Sequence, residues 1–356
     1  MGVLIIGSGN GGLALGSMLI LKGKKVNLYD KFEEVIDPIR KNNNKITVNH
    51  LGKKRKVQFH VVTNHLEEGL QEVKYIFIIV PAFAHKSIAT ELANVVKNDQ
   101  IIILHPGRTG GALEFKRIFA LKEKENVIAE TDTLLFACRK NDVHGTEINI
   151  YGVKKHVGVA AIPKEKSQEV TNLLNNLLPR FENYETVLST SLSNIGAIFH
   201  PVPFLFNLVR TERKESYKYY HDGITQSICN ILEGVDRERL AIAKAFGLTV
   251  PSALEWLNYN YNLNEKTLYD AIQKNTRYSE IDAPTEMKAR YIMEDVPMGL
   301  VPMAALGKLA EVPTPIIDSI ITLASEIYDY DFRERGRTIH KADIISYIGT
   351  NNVAIY

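Results

Sequence analysis

Val3-Leu4-Ile5-Ile6-Gly7-Ser8-Gly9-Asn10-Gly11-Gly12 is the stretch that decides the fold. Four consecutive apolar residues read as a strand buried on both faces. Gly7, Gly9 and Gly12 then match G-x-G-x-x-G, and an apolar helical pattern runs on to Lys22. Each glycine answers a physical need. Gly7 permits the tight turn, Gly9 lets a pyrophosphate approach the backbone, and Gly12 allows close helix–sheet packing. The N-terminus of the following helix faces the phosphate charge. Residues 26–29 form the next strand, and Asp30 ends it 18 positions after Gly12, where a carboxylate accepts the ribose hydroxyls. The pattern predicts a dinucleotide site made by Gly7, Gly9, Asn10, Gly12 and Asp30, with Pro81 after the third strand. Asp30 repels a 2′-phosphate, which favours NAD over NADP, while Lys31 beside it offsets part of that repulsion. NADP is the alternative cofactor.

Working outward, residues 75–80 and 101–104 are further apolar strands, separated by a helical stretch over 84–96. Apolar strands alternating with helices predict an α/β fold, a Rossmann-type doubly wound parallel sheet. A strand pair over 50–62, with a basic turn at Lys53-Lys54-Arg55-Lys56, interrupts the rhythm, and residues 134–161 read as strands of mixed pattern. After a helix over 165–178 the text becomes mainly helical. The nucleotide domain is therefore placed at 1–188 and a helical second domain at 189–356. Helices are expected over 227–246, closed by Gly247, over 264–275 and over 315–328, with a capping box at Ser252 and Glu255. The apolar face of the helix over 315–328 offers a surface for a homodimer.

Composition narrows the function classes. A chain of 356 residues with 45% hydrophobic and 24% charged side chains is globular and long enough for two cores. The formal net charge of +2 gives no field to draw it to nucleic acid or an anionic membrane. The partners expected are small molecules. Cys138 and Cys229, the only cysteines, are too far apart in sequence to read as a redox or metal pair, so no metal is expected. The apolar N-terminus lacks a basic flank, no apolar run is long enough to span a bilayer, and a reducing, cytoplasmic setting follows.

The chemistry lies further along. Residues 105–115 (His-Pro-Gly-Arg-Thr-Gly-Gly-Ala-Leu-Glu-Phe) follow a strand and so sit at the carboxyl edge of the sheet, where open α/β folds bind ligands. Glu130-Thr131 through Cys138-Arg139, Ser193-Asn194 through His200-Pro201, and Arg290 through Glu294-Asp295-Val296-Pro297 to Gly299-Leu300-Val301-Pro302 complete the set. On these runs the chain resembles the opine dehydrogenases of the octopine/nopaline type, and the bacterial enzymes making N-(1-carboxyethyl) amino acids in particular. The resemblance covers nearly the whole chain. It implies an NAD(P)-dependent oxidoreductase acting on CH–NH donors, which condenses a 2-oxo acid, usually pyruvate, with the amine of an amino acid and reduces the imine. It implies His200 as the acid/base and Asp295 as its carboxylate partner. Arg290, five positions earlier, would hold the 2-oxo acid carboxylate. It also implies Cys138 near the amino substrate and Asn194 against substrate or nicotinamide.

His105 stands where the family has asparagine, and Asp132 where glutamine is common; the extra carboxylate would favour a basic amino donor. Other two-domain dehydrogenases, of the hydroxyacid, glycerol-3-phosphate or ketopantoate type, place a lysine on the first helix of the second domain. No lysine occurs between Lys166 and Lys214, which argues against them. A nucleotide-sensing protein without turnover is the remaining alternative, and the presence of His200, Asp295 and Arg290 counts against it.

Overall fold

The computed structural model describes residues 2–141 and 145–348. Residues 142–144, inside the expected mixed-strand region, and 349–356, the end of the expected second domain, lie outside them. The chain divides into two compact units, Met1–Gly107 with Gly111–Thr190, and Arg108–Gly110 with Ser191–Tyr356.

In chain order the first unit's strands are β1 (Gly2–Ile6), β2 (Val26–Tyr29), β3 (Lys45–His50), β4 (Lys53–Gln58), β5 (Val61–Thr63), β6 (Val73–Ile78), β7 (Ile101–Leu104), β8 (Ile128–Thr131), β9 (Phe136–Lys140), β10 (Glu147–Val153), β11 (Val157–Ile162) and β12 (Phe181–Asn183). The main sheet has the order β12-β11-β8-β7-β6-β1-β2-β5. It is parallel from β5 to β8; β11 then runs antiparallel to β8, with β12 parallel to β11. β1 and β7 are buried at every position, as strands covered on both faces must be.

A second sheet, β4-β3-β10-β9, was not foreseen in the sequence. Its alternating pattern turns Ile46, Val48, Val57, Ile148 and Ile150 into the core shared with β1 and the helix Asn10–Leu21. That helix packs between the main sheet and this one, which explains why it is apolar on nearly every side. The expected basic turn is corrected here. Leu51 and Gly52, both at positive φ (53° and 71°), make the β3–β4 turn. Lys53 to Lys56 lie on β4 itself, exposed in succession because this edge strand faces water.

The second unit is helical. Its longest helix, Gln226–Ala245, begins at Thr225, whose side chain accepts from the Ile228 N–H, and ends before Gly247 at φ 71°. Arg239 is fully buried and donates to Asp236 Oδ1 and to the carbonyls of Leu192 and Pro251. Glu238 accepts from the N–H groups of Ile316 and Ile317, capping the helix Pro315–Tyr328. The Asp236-to-Arg239 run therefore ties helix ends together. The Ser252–Glu255 capping box is formed, whereas the helix expected over 264–275 is shorter, Leu268–Gln273, because Thr267 caps it. Among the described residues no helix is long and apolar enough to cross a membrane.

Arg108–Gly110 joins the second unit although its flanks belong to the first. Thr109 Oγ1 donates to the Ser191 carbonyl (3.2 Å), the Gly110 N–H to Ser191 Oγ (2.9 Å), and Arg337 Nη1 to the Thr109 carbonyl (2.9 Å). On the first unit's side, buried Glu130 accepts from the Ala112 N–H (2.7 Å) and the Thr190 hydroxyl (2.5 Å).

Candidate active site

The glycine turn has the form a dinucleotide needs. Gly7 sits at φ 106°, and a Cβ there would lie 2.3 Å from the Ile79 carbonyl oxygen. A Cβ on Gly12 would lie 1.8 Å from the Gly7 carbonyl oxygen, so the helix can start this close to β1 only with glycine. Gly9, the N-cap, meets nothing within 4 Å, which leaves open space where a phosphate would approach. Asp30 Oδ2 accepts from both the N–H (2.8 Å) and the hydroxyl (2.6 Å) of Ser8, and Oδ1 from the Phe32 N–H (3.2 Å). The carboxylate is thereby fixed beside the turn. These residues fit an NAD-type cofactor. Lys31 is drawn into an ion pair with Glu91 (2.7 Å), so the offset expected from it is diminished. Pro81 is exposed at the end of the β6 segment, opening the turn Ala82–Ala84. Asn10 Oδ1 accepts from the Lys140 N–H (2.9 Å) and ties β9 to the helix start.

His105 and Asp132 belong to the architecture of this unit. His105 is buried; Nε2 accepts from the Leu135 N–H (3.0 Å), so Nδ1 is the protonated nitrogen that meets Thr131 Oγ1 (2.8 Å). Burial, and then Lys154, push this imidazole down to about 3. Asp132 Oδ1 accepts from the Gly158 N–H (3.0 Å) across the β8–β11 pair, and burial raises its carboxyl to about 7 against the pull of Lys154. This carboxyl is tied to the backbone of β11 through Oδ1. It also makes a stability prediction. The folded state favours the protonated form, so stability falls as pH rises from the ordinary carboxylate range through about 7. Asp132→Asn, which keeps an acceptor for Gly158, is expected to raise Tm by a few °C at pH 8 and to leave it unchanged near pH 3.5; calorimetry at both values checks this.

Cys138 lies on β9, half-buried against the core of the first unit, its thiol pushed up to about 11 by burial. It is a protonated packing residue, not a nucleophile.

The second unit brings His200 and Asp295 together. His200 ends the short helix Gly196–Phe199 and precedes Pro201, which begins the next. Proline has no N–H to donate, and the helix breaks there. Tyr219 donates its hydroxyl to the His200 carbonyl (2.5 Å), and Tyr291 stacks on the imidazole at 4.2 Å and 13°. Asp295 ends the segment after the helix Arg290–Met293 and is followed by a wide turn, Val296–Leu300, in which the Leu300 N–H reaches back to the Asp295 carbonyl. Asp295 Oδ2 lies 2.7 Å from His200 Nδ1. A carboxylate can only accept, so Nδ1 carries the proton and Nε2 is the nitrogen presented to a substrate.

Asp295 is 1% exposed. Burial opposes its charge, but Arg108, His200 and then Arg290 outweigh that and hold the carboxyl below its ordinary range. Arg108 Nη1 lies 3.4 Å from Asp295 Oδ1 and donates to Asn194 Oδ1 (3.3 Å); Asn194 in turn donates to Thr109 Oγ1 (3.2 Å). Burial opposes the Arg108 charge too, but Asp295 and Glu294 keep the guanidinium protonated. A Cβ on Gly196 would come within 2.8 Å of Arg108 Nη1, so glycine is needed where these groups converge. Arg290 is 56% exposed and pairs through Nε with Glu294 (2.5 Å).

The sequence reading named His200, Asp295 and Arg290, which the structure brings to one place in the second unit. It gave no role to Arg108, Glu294 or Tyr291. All three lay inside the quoted motifs, but only the fold shows them converging on the pair. Asn194, expected against a ligand, has its amide engaged by Arg108 and Thr109.

Residues 183–328 match the family model for the α-helical domain of NAD/NADP octopine/nopaline dehydrogenases, and residues 2–110 the N-terminal model of NAD-dependent glycerol-3-phosphate dehydrogenases. An opine dehydrogenase of Arthrobacter sp. (strain 1C) is 38% identical over 340 residues, covering 95% of this chain and 93% of that one. The chain belongs to the opine dehydrogenase family. It is an NAD(P)-dependent oxidoreductase of that type, condensing a 2-oxo acid with an amino acid reductively. Vitopine synthase of Allorhizobium ampelinum is a more distant member, 27% identical over 77% of this chain and 75% of its own. A solved octopine dehydrogenase with NADH and L-arginine shares the fold at a TM-score of 0.80, with 23% identity and coverage of 92% and 90% of the two chains.

Proposed function

We propose that the protein joins pyruvate to the amine of an amino acid, giving an N-(1-carboxyethyl) amino acid, and catalyses the reverse oxidation. The observation that carries this reading is the His200–Asp295 pair, buried on the carboxylate side, within an ion-pair network that reaches the exposed Arg290. Arg290, its Nε taken by Glu294, offers the Nη edge of a planar fork to the 2-oxo acid carboxylate. Condensation of amine and ketone gives a carbinolamine, which must lose water to become an imine. His200 Nε2 takes the proton released by the attacking amine and returns it to the departing hydroxyl, while Asp295 stabilises the imidazolium between these events. Tyr291 holds the ring plane, and Asn194 supports Arg108. We leave Cys138 as a lining residue of the first unit. Gly7, Gly9, Asn10, Gly12, Asp30 and Pro81 would hold the NAD cofactor, whose reduced form would supply the hydride that reduces the imine.

NAD is the preferred cofactor in this reading because Asp30 is fixed by Ser8 beside the glycine turn. Asp30→Ala should reduce the preference of kcat/KM for NADH over NADPH by about 10–100-fold, the effect of removing one close like charge. An unchanged ratio would take Asp30 out of the discrimination. A cytoplasmic location is supported by two free cysteines. A homodimer is supported by Leu323 and Ile327 on the helix Pro315–Tyr328, each 47% exposed while Ile317, Ile320 and Ile321 are buried in the unit's own core. Light scattering at the mass of one chain would remove it.

The reaction is tested by product mass. Enzyme, NADH, pyruvate and an amino acid labelled with nitrogen-15 should give a species with the mass of both substrates less water plus two hydrogens, retaining the label. Lactate with unreacted amino acid would instead make the enzyme a hydroxyacid dehydrogenase.

A further inference from the structure

His200 and Asp295 stand on two segments that meet at a glycine. Gly299 is buried in the wide turn Val296–Leu300, four positions after Asp295. Ala197 is buried in the helix Gly196–Phe199, three positions before His200. A Cβ on Gly299 would lie 2.7 Å from the Ala197 Cβ, 3.3 Å from Asn194 Nδ2 and 3.6 Å from the Ala197 Cα. Non-bonded carbons rest at about 3.5–4.0 Å, so an added methyl group would have to drive the two segments about 1 Å apart. No rotamer change at Ala197 can absorb this, because its methyl is fixed to the backbone. The turn is also held in place by hydrogen bonds. The Met298 N–H donates to the Glu294 carbonyl (2.9 Å) and the Leu300 N–H to the Asp295 carbonyl (3.0 Å). The carbonyls of Pro297 and Met298 accept from the N–H groups of Arg337 (2.9 Å) and Thr109 (3.3 Å). Gly299 does not have a positive φ, so its backbone asks nothing that alanine could not give. In a helical turn glycine is less stable than alanine, and close approach is what it supplies here.

We propose that Gly299 is a positioning residue which, by admitting Ala197, sets the separation of His200 from Asp295. This rests on the acid/base role given to that pair above. The 2.7 Å between His200 Nδ1 and Asp295 Oδ2 is the spacing of a charge-assisted hydrogen bond, and about 1 Å more would end it. The methyl group would press on the Asn194 amide as well, which accepts from Arg108 beside Asp295. Gly196 serves the same meeting from the other segment. A Cβ there would lie 3.3 Å from Asp295 Oδ1 and 3.4 Å from His200 Cε1. The pair thus sits where both segments present glycine, and packing rather than side-chain freedom fixes its geometry. An imidazole held in this way keeps its Nδ1 proton on Asp295 while Nε2 exchanges a proton with substrate.

The test moves one methyl group from one segment to the other in the full-length protein. The His200 Nδ1 proton, hydrogen-bonded to a carboxylate, gives a downfield proton resonance that reports the pair directly. Gly299→Ala is expected to shift that resonance upfield and to lower kcat by about 10²-fold, the scale of a 1 Å misplacement. Ala197→Gly alone should leave the resonance in place. In Gly299→Ala with Ala197→Gly the new methyl meets the Cα of residue 197 at 3.6 Å, an ordinary contact. This double variant should regain the wild-type resonance and most of kcat. A structural role alone would lower Tm without moving the resonance of the folded protein. An unmoved resonance in Gly299→Ala overturns the proposal, and so does a displacement that the double variant fails to reverse. Where Gly299→Ala is not recovered folded, the double variant carries the test. Its folding with the wild-type resonance supports the proposal, and its failure to fold overturns it. Turnover separates the two readings. A resonance lost and regained while kcat stays at the wild-type value throughout leaves the spacing to Gly299 and defeats the acid/base role of the pair.

Discussion

His200→Ala is expected to lower kcat by about 10²–10⁴-fold, the usual contribution of a positioned acid/base, while NADH binding and Tm stay near wild type. The argument starts from the tautomer. Asp295 is buried and accepts from Nδ1, so Nε2 is the only ring nitrogen able to trade a proton with substrate. Alanine removes that site and leaves Asp295 with Arg108 and the field of Arg290, by which it is still compensated. The fold should therefore tolerate the change, and the loss should fall on kcat. The glycine turn proposed to hold the cofactor belongs to the other unit, so NADH titration by fluorescence should be unaffected. A variant turning over at the wild-type rate would show that the proton is moved by another group.

Arg290→Ala should raise the KM for pyruvate by about 10²–10³-fold and change kcat far less. A bidentate pair between a guanidinium and a carboxylate is a pair of charge-assisted hydrogen bonds, each contributing about 1.5–3 kcal/mol. That interaction is made to substrate and transition state alike, so its loss appears mainly in KM. Arg290→Lys keeps the charge but not the fork, and should recover only part of the affinity. Steady-state kinetics with pyruvate varied at saturating amino donor decides it. An unchanged pyruvate KM would remove Arg290 from the substrate site.

The legible parts of the sequence were those in which chemistry is local. The run from Val3 to Gly12 carries its own explanation, because a strand, a positive-φ glycine and a close helix–strand approach all lie within ten residues. The capping box at Ser252 and Glu255 and the helix end at Gly247 were readable for the same reason. The β4-β3-β10-β9 sheet was not. It pairs β3 with β10, about a hundred positions apart, and no local periodicity reports a partner at that distance. The basic run was placed on a turn because charge in sequence reads as a solvated tip; the exposed edge strand β4 satisfies it equally well.

The site shows the same division. His200, Asp295 and Arg290 were carried over from family motifs, and their neighbourhood in the second unit could then be seen. Arg108 was quoted within its motif yet given no role, since it stands 187 positions before Asp295 and only the fold makes them neighbours. His105 and Asp132 drew attention as departures from the family pattern. The structure shows what each engages, the Leu135 and Gly158 backbone respectively, which no spacing in sequence could disclose.

The most direct measurement follows NADH absorbance with pyruvate present, with and without a pool of amino acids including L-arginine, L-lysine and neutral donors. Oxidation that requires pyruvate and an amine together is the predicted result, and dividing the pool then names the donor. Oxidation with pyruvate alone at the same rate would contradict reductive condensation and assign the His200–Asp295 pair to ketone reduction.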